Sequence, residues 1–184
     1  MSADNQQERP KNFCLNPWYI TGFVEGEGSF HVALYKDLAM KQKVKIIPEF
    51  HISQLNSRKE ILEVIKDYFG CGYLKENHRS RFNDRTFVYV VRNRNNLTKK
   101  IIPFFKKYPF KSNKQLNFQL FEKIVGLMAK GVHKTHKGVR QIINYAYQMN
   151  YAGKYRRLDK NKFLIFLESS ETICQTPILR RGKI

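Results

Sequence analysis

The chain has 184 residues, enough for one domain with its own core, and its 42% apolar and 14% aromatic content excludes a disordered polar tract. Its 34 lysines and arginines against 15 acids leave a net charge of +19, which points to a polyanion as partner, nucleic acid ahead of an anionic membrane or a ribosome. Three scattered cysteines (Cys14, Cys71, Cys174) exclude a disulfide framework and a zinc-finger spacing; with no apolar run near the roughly 20 residues of a membrane span and no secretory pattern at the start, a soluble intracellular protein with no membrane partner is expected.

Residues 1–13 read as a polar tail. A helix then opens at Asn16 and Pro17, a capping residue followed by proline at the first helical position, and carries Trp18, Tyr19, Ile20, Phe23 and Val24. Gly22 and Gly26, four apart, are expected to interrupt it early. From Ser29 to Tyr35 the apolar residues alternate, with Phe30, Val32 and Leu34 on one face and His31, Ala33 and Tyr35 on the other. After a lysine-rich connection at 36–43, Val44, Ile46, Phe50 and Ile52 share a face while Lys45, Glu49, His51 and Ser53 share the opposite one, so the two strands read as a long hairpin.

Residues 57–69 predict a second helix, with Ser57 as cap, Glu60 at the capping-box position and Ile61, Leu62, Ile65 and Phe69 at helical spacing. Gly70 and Gly72 end it. Short strands at about 72–77 and 85–92 form another hairpin, whose turn region holds His78, Arg79, Arg81 and Asn83. Helical patterns resume at 95–107, 113–130 and 134–150. A basic extension is expected over 151–184, mobile in the segment AGKYRRLDKNK, with FLIFL at 163–167 as a short docked element.

That order predicts an α+β domain over residues 14–150, with a four-stranded antiparallel sheet and helices on one face. The other face lacks an obvious cover and would carry His31, Ala33, Tyr35, Lys45, His51, Ser53, Lys75, Asn77, Arg79 and Arg92, a set suited to following a groove and its phosphates. Between Lys75 and Lys114 twelve basic residues face two acidic ones, and Lys154, Arg156, Arg157 and Lys160 form a second basic group. Any single one of these reads equally well as solvated surface; the collective excess does not.

Most of the acids belong to a helix face or a loop. Glu25 and Glu27 differ, because they lie between glycines where an apolar helix meets a strand, and a helix carboxyl terminus disfavours anions. A bound divalent cation would compensate them, and magnesium binds through one or two carboxylates with phosphate and water. One acid per chain is a weak site, whereas two chains about a twofold axis bring a pair together. Small residues four apart, Gly22 and Gly26, let two helix backbones approach; packing within one chain is the alternative use of them.

Ile20-Thr21-Gly22-Phe23-Val24-Glu25-Gly26-Glu27-Gly28 resembles the motif of the LAGLIDADG homing endonucleases, with Glu in both acid positions. The likeness extends through Phe50-His51-Ile52-Ser53-Gln54, Arg58 and the segment IIPFFKKYPFKSNKQLNFQLFEKI, about residues 16–150 in all. The resemblance implies an αββαββα fold with a saddle-shaped sheet over the major groove. It also implies motif helices at a dimer interface (Gly22, Phe23 and Gly26) and metal-dependent cleavage of both strands of double-stranded DNA. With one motif and no internal repeat, it implies a homodimer on a long, roughly palindromic site, encoded by a mobile intron in an organelle or a microbial genome. By the same resemblance Glu27 is a metal ligand helped by the carbonyl of Gly26, while Glu25 caps or pairs within the helix interface. Gln54 orders solvent near the metal, and Arg58 joins that network. Lys114, ahead of Lys111, attends the scissile phosphate, though both also read as plain phosphate contacts. The metal would be Mg2+ or Mn2+, with Ca2+ as a non-catalytic substitute. An intron RNA maturase, with RNA as partner, and a noncatalytic DNA-binding protein are the other readings.

Overall fold

The computed structural model describes residues 15–77, 86–152, 156 and 158–175. The polar start, Cys14, the turn bearing His78, Arg79, Arg81 and Asn83, and Lys154 and Arg157 lie outside the described residues. Helix α1 spans Pro17–Glu27; the Asn16 side chain accepts the backbone N–H of Trp18 at 2.8 Å, and Pro17 starts the helix with its φ already helical. The expected interruption at the glycines does not occur. α1 runs through Gly22 and Gly26, because Ile20, Thr21 and Val24 are buried beneath it and Thr21 Oγ1 donates to the Tyr108 carbonyl at 3.0 Å. Tertiary burial outweighs the roughly 1 kcal/mol that each glycine costs a helix.

Strand β1 (Gly28–Lys36) and strand β2 (Val44–Leu55) pair antiparallel from Gly28 opposite Ile52 to Lys36 opposite Val44, the long hairpin that alternation predicted. Pro48 sits inside β2 without harm to the second ladder: strand β4 (Thr86–Val91) reaches only to Val91 opposite Phe50, so no β4 carbonyl waits for a donor there. A 3-10 turn at Asn56–Arg58 leads into helix α2 (Glu60–Phe69). Ser57 lies within that turn and is not the helix cap; Lys59 precedes α2 and its carbonyl already accepts from Leu62 and Glu63. Gly70 ends α2 at φ +54°, a left-handed conformation that other residues enter at a cost. Strand β3 (Tyr73–Glu76) then pairs with β4, giving an open sheet in the order β1-β2-β4-β3.

Helix α3 (Arg94–Asn96) passes through a π-helical stretch at Leu97–Ile101 into helix α4 (Ile102–Lys107). The wider turn falls immediately before Pro103, which lacks the N–H for a regular helical bond. Helices α5 (Lys114–Ala129) and α6 (His136–Ala146) follow, separated by a 3-10 turn at Val132–Lys134. The predicted helix over 134–150 is thus broken after Ala146, and helix α7 (Met149–Ala152) restarts it. Helix α8 (Lys160–Gln175) contains the docked element expected at FLIFL and is longer than it, starting within the segment expected to be mobile: Phe163 and Leu167 are buried with Val139, Ile143, Tyr147 and Val44.

α1, α2 and α5 pack on the sheet face that carries Phe30, Phe50, Ile52 and Tyr89. Rings dominate there, with Phe30 within 5.3 Å of Phe50, Phe118 and Phe121, and Phe105 stacked on Phe110 at 4.7 Å. The outer edge of β1 is closed by the chain after α6: Asn150 Nδ2 donates to Phe30 O, and the Arg156 guanidinium donates to Val32 O and Ala146 O. That satisfies carbonyls an open edge would present to other chains. Among the described residues no helix is long and apolar enough to cross a membrane.

Candidate active site and nucleic-acid interface

The two acids at the end of α1 have separate surroundings. Glu25 Oε1 accepts the backbone N–H groups of Lys111 and Ser112 at 2.7 and 2.8 Å, clasping the loop before α5 to the motif helix. Desolvation raises the Glu25 carboxyl, but those N–H groups, the Ser112 side chain and the charge of Lys114 together outweigh it and hold the pKa below 4.5. Glu27 is exposed and makes no hydrogen bond or ion pair among the described residues. Beside it, Gly26 lies in the last turn, where helical partners for carbonyl groups run out. A carboxylate and a carbonyl are hard oxygen donors, and they fit a hard divalent cation. No group of three or more His, Cys, Asp or Glu is gathered among the described residues.

Lys114, the first residue of α5, reaches across to this end of α1. Its ammonium donates to Val24 O at 2.7 Å and to Gly28 O. Burial pushes its pKa down while Glu25 and Glu27 hold it up, so Glu27 is within its electrostatic reach. Gly28 has to be glycine here, because a Cβ would meet both the side chain and the carbonyl of Val24. Lys111, the alternative, holds its ammonium 5.9 Å from the Trp18 ring. Glu25, Gly26, Ser29, Lys114, Asn117 and Asn150 line an open cleft of about 760 Å³ along this end.

Gln54 lies two residues beyond the Gly28–Ile52 pair, beside the motif helix, and with Arg58 it lines a second hollow shared with Tyr19, Phe23, Glu60 and Ile61. Arg58 is exposed and Gln54 half-buried. Tyr19, Gly22, Phe23 and Gly26 form the outward stripe of α1: Tyr19 is 46% exposed and stacks on Phe23 at 6.1 Å. A Cβ at Gly22 or Gly26 would meet nothing within 4 Å, so packing within this chain does not require either glycine.

On the far face of the sheet the register places His31, Ala33 and Tyr35 beside Glu49, Ile47 and Lys45, and His51 and Ser53 beside Val90 and Val88. Lys75 and Asn77 continue the same face on β3 and just beyond it, and Arg92 follows β4. Ala33 is buried, as are Val88, Val90 and Glu49, so this face is less open than alternation alone implied. Arg79 lies outside the described residues. Glu49, which alternation puts on this face, is not exposed there: one of its oxygens accepts from His51 Nε2 at 2.7 Å and the other from Arg92 Nε.

Residues 20–125 match the sequence profile described as LAGLIDADG endonuclease. A probable intron-encoded endonuclease of Neurospora crassa is 34% identical over 139 residues, which cover 74% of this chain and 30% of that protein. The homing endonuclease I-ApeII of Aeropyrum pernix is 30% identical, with coverage of 61% and 64%. Among solved structures, the archaeal intron-encoded homing endonuclease I-Vdi141I complexed with DNA superposes with a TM-score of 0.76 at 32% identity, over 85% of this chain and 96% of that one. The I-SmaMI structure bound to uncleaved DNA with calcium ions gives a TM-score of 0.72 at 29% identity, covering 92% of this chain and 52% of its own. The chain spans between 25% and 30% of the length of the first curated relatives it matches.

Proposed function

The chain belongs to the LAGLIDADG endonuclease family, and from that premise we propose that it is one subunit of a homodimeric, divalent-metal-dependent enzyme that cuts both strands of a long, roughly palindromic DNA site. The observation that carries this is the end of α1: an exposed, unpartnered Glu27 beside a helix stripe of Tyr19, Gly22, Phe23 and Gly26 whose glycines face away from their own chain. Two such stripes packed about a twofold axis would set two Glu27 carboxylates side by side, one for each DNA strand.

In this reading Glu27 and the Gly26 carbonyl hold a magnesium or manganese ion, which when bound activates water and stabilises the leaving oxygen. Lys114 fixes the helix end that presents both ligands. An ammonium has three N–H donors, and two are engaged by Val24 O and Gly28 O, which leaves one for an oxygen of the phosphate under attack. Gln54 and Arg58, beside the motif helix, order the solvent around that phosphate. Glu25 has no role with the reacting atoms; its carboxylate is committed to the loop that carries Lys111 and Ser112.

The test separates cutting from binding. Glu27→Gln should lower the cleavage rate roughly a hundredfold or more while duplex binding persists, since binding rests on many distributed basic groups. Loss of binding along with cutting would make Glu27 a structural residue and remove the proposal's main support.

A further inference from the structure

Glu49 is an odd residue for a face that meets DNA. It lies at the centre of the far side of the sheet, directly across from His31 on β1, and the β2–β4 register continued by one step puts Arg92 opposite it on the other side. Its side chain is 6% exposed, whereas that of Arg92 is 45% exposed and that of His51 24%. A buried carboxylate in this position would repel phosphate if it were free. Both of its oxygens are instead engaged, one by His51 Nε2 and the other by Arg92 Nε.

The use of Nε matters. Five N–H groups fan out from a guanidinium, and anchoring the Nε–H to Glu49 leaves the terminal Nη pair directed away from the anchor, with no partner among the described residues. Those two nitrogens form a flat double donor, complementary to the O6 and N7 acceptors on the major-groove edge of guanine and to no other base edge in both atoms. An unanchored arginine on a strand end would sample many rotamers and contact any phosphate in reach. A buried carboxylate whose other oxygen is held by His51 Nε2 removes that freedom before DNA arrives.

Resting on the reading of the chain as a DNA-cutting dimer, we propose that Glu49 is a positioning residue for specificity. It fixes Arg92 so that each subunit reads one guanine, giving two symmetry-related guanine positions in the target.

The experiment selects sites from a pool of randomised duplexes, using the Glu27→Gln protein so that bound DNA stays intact, and compares base preferences after adding Glu49→Gln or Arg92→Lys. The expected result is one position in each half-site where the preference for guanine falls about tenfold in both variants, and no further in the double variant. Glu49→Gln should also bind unselected duplex more tightly than its parent, because a negative charge has gone, an effect that mere loss of structure would not produce. Arg92→Lys alters an exposed side chain and serves as the test even if Glu49→Gln fails to fold. Unchanged preferences in Arg92→Lys would overturn the proposal, as would changes at different positions in the two variants. A parent protein that selects no duplex would overturn both this inference and the functional reading, and is recognised because the failure precedes any change at Glu49.

Discussion

Glu25 and Glu27 stand two residues apart, and their surroundings divide the work between them: one carboxylate accepts two backbone N–H groups, and the other has no hydrogen-bonding partner among the described residues. Lys114 shows how a site residue can also be a structural one. Lys114→Met removes two charge-assisted hydrogen bonds at the end of α1 and should cost about 1–2 kcal/mol of stability together with cleavage activity. A variant that melts normally yet cuts at the parental rate would free Lys114 from both roles. His31 gives the protein a pH dependence. Burial first, then the charges of Arg156 and His51, hold its imidazole below 6.5, with Glu49 acting the other way. Between that lowered value and 6.5 the unfolded chain binds a proton that the folded chain does not, so stability falls as pH drops below 6.5. His31→Gln should flatten the decline of Tm over that range; an unchanged slope would assign the loss to other groups. At this scale the acids were legible in sequence because their placement between glycines is odd for packing alone. The Lys114 clamp was not, since it joins residues 86 and 90 positions apart.

α1 presents Glu27 at its end and the glycine stripe along its outer side. Its glycines are poor helix formers, and with no Cβ contact in their own chain they have no packing use there. Gly22→Leu should therefore leave the helical circular dichroism unchanged or slightly raised, yet give a monomer in sedimentation and abolish cutting, because the side chain projects where a second backbone would lie. A dimeric, active Gly22→Leu protein would place the interface elsewhere. The strands β1 and β2 were legible to within two residues, because one buried face imposes strict alternation on the sequence. The full length of α1 was not legible, since helix propensity alone argues for a stop at Gly22 and only the burial of Ile20, Thr21 and Val24 overrides it. The docking of FLIFL was legible from its apolar run, but the helical type and length of α8 were not, since five apolar residues are too few to show a helical period.

The chain carries a net charge of +19, and on the far face of the sheet Lys45, Lys75 and Arg92 stand exposed while Glu49 is buried and paired. The chain after α6 closes the β1 edge, so this segment belongs to the folded unit although the family match ends at residue 125. Arg156→Ala leaves the Val32 and Ala146 carbonyls without this donor. It should lower Tm by a few degrees and open a protease site near residue 156; an unchanged digestion pattern would mean that Arg156 does not hold this segment against the β1 edge. The proposed cleavage of both strands of one DNA site by two copies of this chain with a metal is tested by incubating the purified protein with a pool of duplex sites, with and without magnesium, and sequencing the ends produced. Discrete, magnesium-dependent cuts on both strands, staggered about a twofold centre, are expected. Tight binding with no cut, or cuts confined to one strand, would contradict the proposed cleavage.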